Sequence, residues 1–388
     1  MSVQVPTETF GTYDFDLTPD LEARARRLHA ESVIIDMLFL GPCGYRSFTA
    51  EMERQLDEEW ARHHNPAEVL RSAKLMPIML ALRGEFPALK ECWDASGITG
   101  GERAVELGAG EFGRTFSLAT AQFDAFPWLI KALRADDFRR AKAEQKHAAF
   151  LNTQSMTDIP RDLDMLDQAY RMGLRMMQLT YNWMNFVGAG CTERTDAGLS
   201  HFGAKVVERL NKLGVLIDTS HCGRQTTLDA CALSAAPVLA THTVANGLHR
   251  HERGKDDEEI RAIASTGGVV GVVGVPFFLA AGENVTVEAM LDHVDYIVKL
   301  VGWEHAGIGA DRPEQAPKRL LYEVFELFAL GIGMRTDHKI TPANLIGLDD
   351  YRDFPNITRG LVKRGYRDEE IRGILGGNFL RVFQEVCG

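Results

Sequence analysis

Val215-Leu216-Ile217-Asp218-Thr219-Ser220-His221 is a short apolar run of strand type that ends in polar groups and an imidazole. Pro237-Val238-Leu239-Ala240-Thr241-His242 repeats the pattern, with its histidine 21 residues after the first. Two imidazoles at the ends of successive buried strands can converge on one point, and imidazole nitrogen is a common metal ligand. Between the two runs lies a helical pattern, Thr226–Leu233. Strand, helix, strand in this order is a unit of a parallel sheet.

Outward from this unit the alternation continues. Strand-type runs are expected at Val33–Asp36, near Phe116–Ala121, at Ala148–Asn152, Arg175–Thr180, Val215–Thr219, Pro237–Thr241, Gly268–Val275 and Ala306–Asp311. Helical patterns separate most of them: Ile159–Met172, Phe202–Leu213, Asp256–Ser265 and Val287–Val301. In Phe202–Leu213 the apolar residues Val206, Val207, Leu210 and Leu213 form one stripe. Eight continuous apolar strands alternating with helices predict an α/β fold, a (β/α)8 TIM-like barrel. An open doubly wound sheet would place a glycine-rich phosphate loop after its first strand. Met37-Leu38-Phe39-Leu40-Gly41 stands there instead. The 388 residues then form one domain. Residues 42–115 read as a helical insertion and residues 341–388 as C-terminal helices packing on the barrel.

Bulk properties exclude several classes. The formal net charge is −11, and the pI near 5.6 argues against a nucleic-acid or anionic-membrane partner. The six cysteines show no CxxC spacing and read as reduced thiols. No stretch reaches the roughly 18 apolar residues of a spanning helix. Met1–Leu17 lacks the apolar core of a signal peptide. The expectation is a cytoplasmic protein acting on a small molecule.

Functional groups of such a barrel sit at the C-terminal ends of its strands. Those ends carry Asp36, Asn152 to Gln154, Thr180-Tyr181, Asp218 to His221, His242 and Asp311. The set suits a hydrolase. Histidines can hold a metal, and a carboxylate such as Asp311 can move a proton. Arg253, in His249-Arg250-His251-Glu252-Arg253, can grip a substrate carboxylate with two nitrogens.

From about Ala148 onward the chain resembles the renal or membrane dipeptidase family, the M19 metallopeptidases. The resemblance rests on Leu179-Thr180-Tyr181-Asn182 with Asn185, Asp218-Thr219-Ser220-His221, Thr241-His242, His251-Glu252-Arg253, Gly307-Ile308-Gly309-Ala310-Asp311 and Gly376-Gly377-Asn378-Phe379. It implies a barrel of the metal-dependent hydrolase superfamily, cleavage of dipeptides or related amides at a two-zinc centre, and a homodimer. His221 and His242 fall on ligands of the second metal, Arg253 on the carboxylate-binding arginine and Asp311 on the acid/base aspartate. Tyr181 takes the place of a substrate-binding histidine, with Asn185 near it.

The departures are as specific. The family's first strand ends Asp-Gly-His-x-Asp, and its His and second Asp bind the first metal. The corresponding residues are Leu38 and Leu40, which coordinate nothing. The bridging glutamate falls on Gln154, or on Asn152 or Thr153 if a gap intervenes. The expected centre is therefore half a binuclear site: His221 and His242, with the amide of Gln154, holding one zinc or no metal. Three outcomes are compatible with it. They are a divergent hydrolase of small carboxylated amides with Asp311 and His221 as catalytic groups, or a lyase or isomerase using the same groups; a non-catalytic binding protein; and a conventional two-zinc dipeptidase that draws substitute ligands such as His63 or His64 from the insertion.

Overall fold

The computed structural model describes residues 10–41, 43–108, 110–156, 159, 162–312 and 345–388. Its strands are β1 (Ile35–Asp36), β2 (Gly100–Ala104), β3 (Leu129–Lys131), β4 (His147–Thr153), β5 (Leu174–Gln178), β6 (Leu216–Asp218), β7 (Val238–Thr243), β8 (Val270–Val272) and β9 (Ala306–Ile308). All pair in parallel, in the order β1-β2-β4-β5-β6-β7-β8-β9, and β3 joins only the edge of β4. The ends of the sheet meet. Met37 N donates to Ile308 O at 2.9 Å, and Asp311 N donates to Leu38 O at 3.1 Å. Eight parallel strands thus form the nearly closed (β/α)8 barrel expected from the alternation.

Local chemistry explains the elements. Every residue of β4 and of β7 is buried, as both faces of a barrel strand are. The helix His201–Leu213 begins at Ser200, whose hydroxyl accepts from Gly203 N, and ends at Gly214 with φ 71°. Asp256 and Glu259 form a reciprocal capping box at the start of Asp257–Ser265. The last helix, Asn378–Cys387, brings Phe379 and Phe383 against Phe150 of β4, with ring centroids 5.4 and 5.7 Å away. These aromatics fill the end of the barrel opposite the functional mouth.

One expected strand is a helix. Phe116–Ala121 lies inside Phe112–Ala125, where Phe116, Ala119 and Gln122 are buried at helical spacing. The second barrel strand is Gly100–Ala104, within the 42–115 stretch that also carries the helices Ala50–His63, Pro66–Leu82 and Ala88–Ser96. Gly-Gly-Glu-Arg-Ala has none of the branched apolar residues that signal a strand. Its glycines are required by packing. A Cβ on Gly101 would come within 2.4 Å of Phe39, and one on Gly100 within 2.5 Å of Phe138. Residues 313–344, including His338 and the first residues of the expected C-terminal segment, lie outside the described residues. Beyond them, Asp36 serves the fold. Its buried carboxylate accepts from Leu38 N at 3.1 Å, Ala310 N at 2.8 Å and the Tyr351 hydroxyl at 2.8 Å.

Candidate active site

The histidine pair is real in space. His221 Nε2 and His242 Nε2 stand 2.8 Å apart, both rings buried. Each outer nitrogen is held. His221 Nδ1 is 2.7 Å from Asn182 Oδ1, and His242 Nδ1 is 2.8 Å from Thr241 Oγ1. Thr241 Oγ1 also bonds Asp218 Oδ2 at 2.7 Å, and Ser220 Oγ donates to Asp218 Oδ1 at 2.6 Å. The chain Asp218–Thr241–His242–His221–Asn182 is therefore a continuous buried hydrogen-bond relay. Tyr181 stacks on His221, 4.0 Å between centroids and 19° between planes.

The relay has two self-consistent proton arrangements. An amide oxygen only accepts, so His221 carries its proton on Nδ1 and presents a lone pair at Nε2. With Asp218 protonated, Thr241 receives its proton and donates onward to His242 Nδ1. His242 Nε2–H then donates to His221. Burial pushes the Asp218 carboxyl upward, and the donors Ser220 N, Ser220 Oγ, Thr241 N and Thr241 Oγ1 oppose the rise. With Asp218 ionised, Thr241 donates to it and accepts from His242 Nδ1–H. Two lone pairs then face each other and need a cation between them. Burial, with the Arg253 charge nearby, pushes both imidazoles well below their usual range, so a positive imidazolium is disfavoured.

Whether a zinc centre fits is decided by the donors. An ion about 2.0–2.1 Å from each nitrogen, in tetrahedral geometry, would hold the nitrogens about 3.3 Å apart. The observed 2.8 Å is a hydrogen-bond separation. A catalytic zinc also takes three protein ligands. Among the described residues, no group of three or more His, Cys, Asp or Glu side chains is placed to hold an ion. Leu38, which the sequence resemblance sets at the position of a metal-binding histidine, is fully buried. These residues do not fit a two-zinc centre.

Asp311 follows β9 at φ 52°, a left-handed conformation uncommon for residues with a side chain. Burial pushes its carboxyl up to about 6, and Arg253, Lys74 and Arg312 oppose the rise. That poises it as a base near neutral pH.

Two expected ligand-binding residues have other partners. Arg253 is buried, with Nη1 on Ser220 O and Nη2 on His242 O at 3.0 Å. It ties the two histidine-bearing strand ends together. Asn185 accepts from Val187 N at 2.7 Å and donates to Leu179 O at 2.9 Å, so it shapes its own loop. Gln154 lines a cleft of about 210 Å³ beside Phe39, Leu40 and Glu102. Glu102 was not anticipated, because its strand was not. It is buried on β2, with Asn152 Nδ2 at 3.4 Å, and burial pushes its carboxyl up to about 8.

Comparison with known proteins places the chain in a family. The chain matches the membrane dipeptidase family (peptidase family M19) over residues 22–320 and 326–387, and it belongs to that family. It is 29% identical over 249 residues to an uncharacterized dipeptidase of Schizosaccharomyces pombe, an alignment covering 62% of this chain and 53% of that protein. The chain thus spans about half the length of that relative. The crystal structure of an amidohydrolase from Pseudomonas aeruginosa is similar at 25% identity and a TM-score of 0.73, covering 93% of this chain and 98% of that one. The probable dipeptidase PvdM from the same organism shares the fold at 21% identity and a TM-score of 0.69, over 95% of this chain and 99% of that one.

Proposed function

We propose that this member of the membrane dipeptidase family hydrolyses a small carboxylated amide or dipeptide-like metabolite with at most one metal ion. The observation that carries this reading is the pair of Nε2 atoms, 2.8 Å apart at the strand ends that also bear the Asp218 relay. In this reading Asp311 takes a proton from water, and the resulting hydroxide adds to the amide carbon. The shared Nε2 proton of the histidine pair hydrogen-bonds the carbonyl oxygen as charge develops on it. Asp311 then returns its proton to the departing nitrogen, which leaves as an amine. Tyr181 holds the His221 ring through its stack on it.

Turnover of a dipeptide panel, with and without added zinc or manganese, tests the proposal. Cleavage that disappears in His221→Ala supports it, and a folded protein inert to every amide contradicts it. The pH profile is a sharper check. Because Asp311 acts as a base, kcat/KM rises about tenfold per pH unit at low pH and levels off above the Asp311 pKa. The levelling is expected at about 6. A profile flat from pH 5 to 8 would remove Asp311 from this role.

Leu38 and Leu40, in place of metal ligands, favour a second reading in which the same base serves elimination or isomerisation without a metal. Product analysis separates the two, since hydrolysis alone yields a free amine and a second carboxylate.

A further inference from the structure

The cleft on the β2 side of the mouth holds a cation that nothing above uses. Arg103 follows Glu102 on β2, lines this cleft with Lys74 and Gln122, and is 9% exposed. Its Nε is buried with no hydrogen-bond partner among the described residues. A guanidinium drawn out of water in this way is costly unless something compensates it. Neighbouring Glu102 compensates only in part, because burial keeps that carboxyl up at about 8 and so mostly protonated at neutral pH. Gln122 Oε1 is a second buried atom in the same cleft without a partner there. One is a donor and the other an acceptor, and both residues line the same cleft.

Two facts connect the cleft to the reaction. Phe39 lines the cleft and pairs with Arg312, the residue after Asp311, so the cleft lies close to the base. Arg253, meanwhile, has its terminal nitrogens occupied by Ser220 O and His242 O.

We propose that Arg103, with Lys74 at the rim, binds the carboxylate of the substrate, and that Gln122 Oε1 accepts from an N–H of the same molecule. The proposal rests on the hydrolase reading only for the word substrate; the anion site itself does not depend on it. Guanidinium meets carboxylate through two parallel N–H donors, and the exposed ammonium of Lys74 adds charge without geometry.

Calorimetric titration with N-acetyl-L-alanine, its methylamide and inorganic phosphate tests the proposal. Wild type is expected to bind the acid about 10- to 100-fold more tightly than the methylamide, the range of one charge-assisted interaction. Arg103→Gln should erase that preference, Arg103→Lys should retain part of it, and the exposed Lys74→Met should weaken acid binding by a few-fold, about one rim charge. Thermal melts of each variant identify loss of fold. Equal binding of acid and methylamide by wild type overturns the proposal. So does an unchanged preference in a folded Arg103→Gln, or tighter binding of phosphate than of the acid. Amide cleavage with a KM indifferent to Arg103 and Lys74 sinks this inference and leaves the hydrolase standing. Arg103-dependent carboxylate binding without cleavage does the reverse.

Discussion

Asp311→Asn lowers kcat for amide cleavage by about 100- to 10,000-fold, the usual contribution of a positioned acid–base group. The substitution isolates the chemistry. Asn is one of the few residues that tolerate the left-handed conformation held at this position, φ 52°, so the backbone after β9 stays as it is. Asp311→Ala would confound loss of the base with strain at the same residue. No hydrogen bond to the Asp311 carboxylate is found among the described residues, so the fold loses little when its charge is removed. Melting temperatures within a degree or two of wild type, together with lost turnover, are the expected pattern. Retention of more than a tenth of the wild-type kcat would assign the base elsewhere, and Glu102 would be the next residue to examine.

Asp36→Ala has the largest expected effect on stability, about 3–5 kcal/mol. Three donors converge on this carboxylate: Leu38 N, Ala310 N and the Tyr351 hydroxyl. They join β1 to the end of β9 and to the 3-10 turn Tyr351–Asp353, at the seam where the barrel closes. Alanine leaves all three buried and unpaired. Asp36→Asn keeps an acceptor oxygen and is expected to cost much less. The pH dependence follows from the sign of the shift. Burial pushes Asp36 up to about 8, above the value of an unfolded chain. Its stabilising contribution is therefore complete below the ordinary carboxyl range and lost as pH rises through about 8. Glu102, raised to about 8 by the same cause, acts in the same direction. Wild type should melt at lower temperature at pH 8.5 than at pH 5, and Asp36→Asn should reduce that difference without abolishing it. A wild-type protein that gains stability over this range would contradict the assignment.

The physical reason for what could be read in the sequence is visible residue by residue. Strands β4, β6, β7 and β9 are buried along their whole length, and the chain turns polar at or just after the end of each, at Thr153, Asp218, His242 and Asp311. His221, His242 and Asp311 were legible on that basis. Strand β2 was not, because Gly100 and Gly101 yield their side-chain space to Phe138 and Phe39. With it went Glu102 and Arg103, the two charged groups on the far side of the pocket. Phe116–Ala121 was misread because a short apolar run carries no periodicity of its own. The roles of Arg253 and Asn185 depended on which carbonyls lay within reach, a matter of distance that spacing along the chain does not encode. Asp36 reads as a functional strand end and proves to be the clasp of the barrel.

The sequence resemblance implies a centre of two metals, with Leu38 and Leu40 standing at the ligand positions of one of them. The measurement that bears on this most directly is the metal content of protein purified without chelator, after equilibration with zinc. The account predicts no more than one equivalent per chain, bound through His221 and His242 and absent from a His242→Ala variant. Two equivalents per chain, in an active protein, would contradict it.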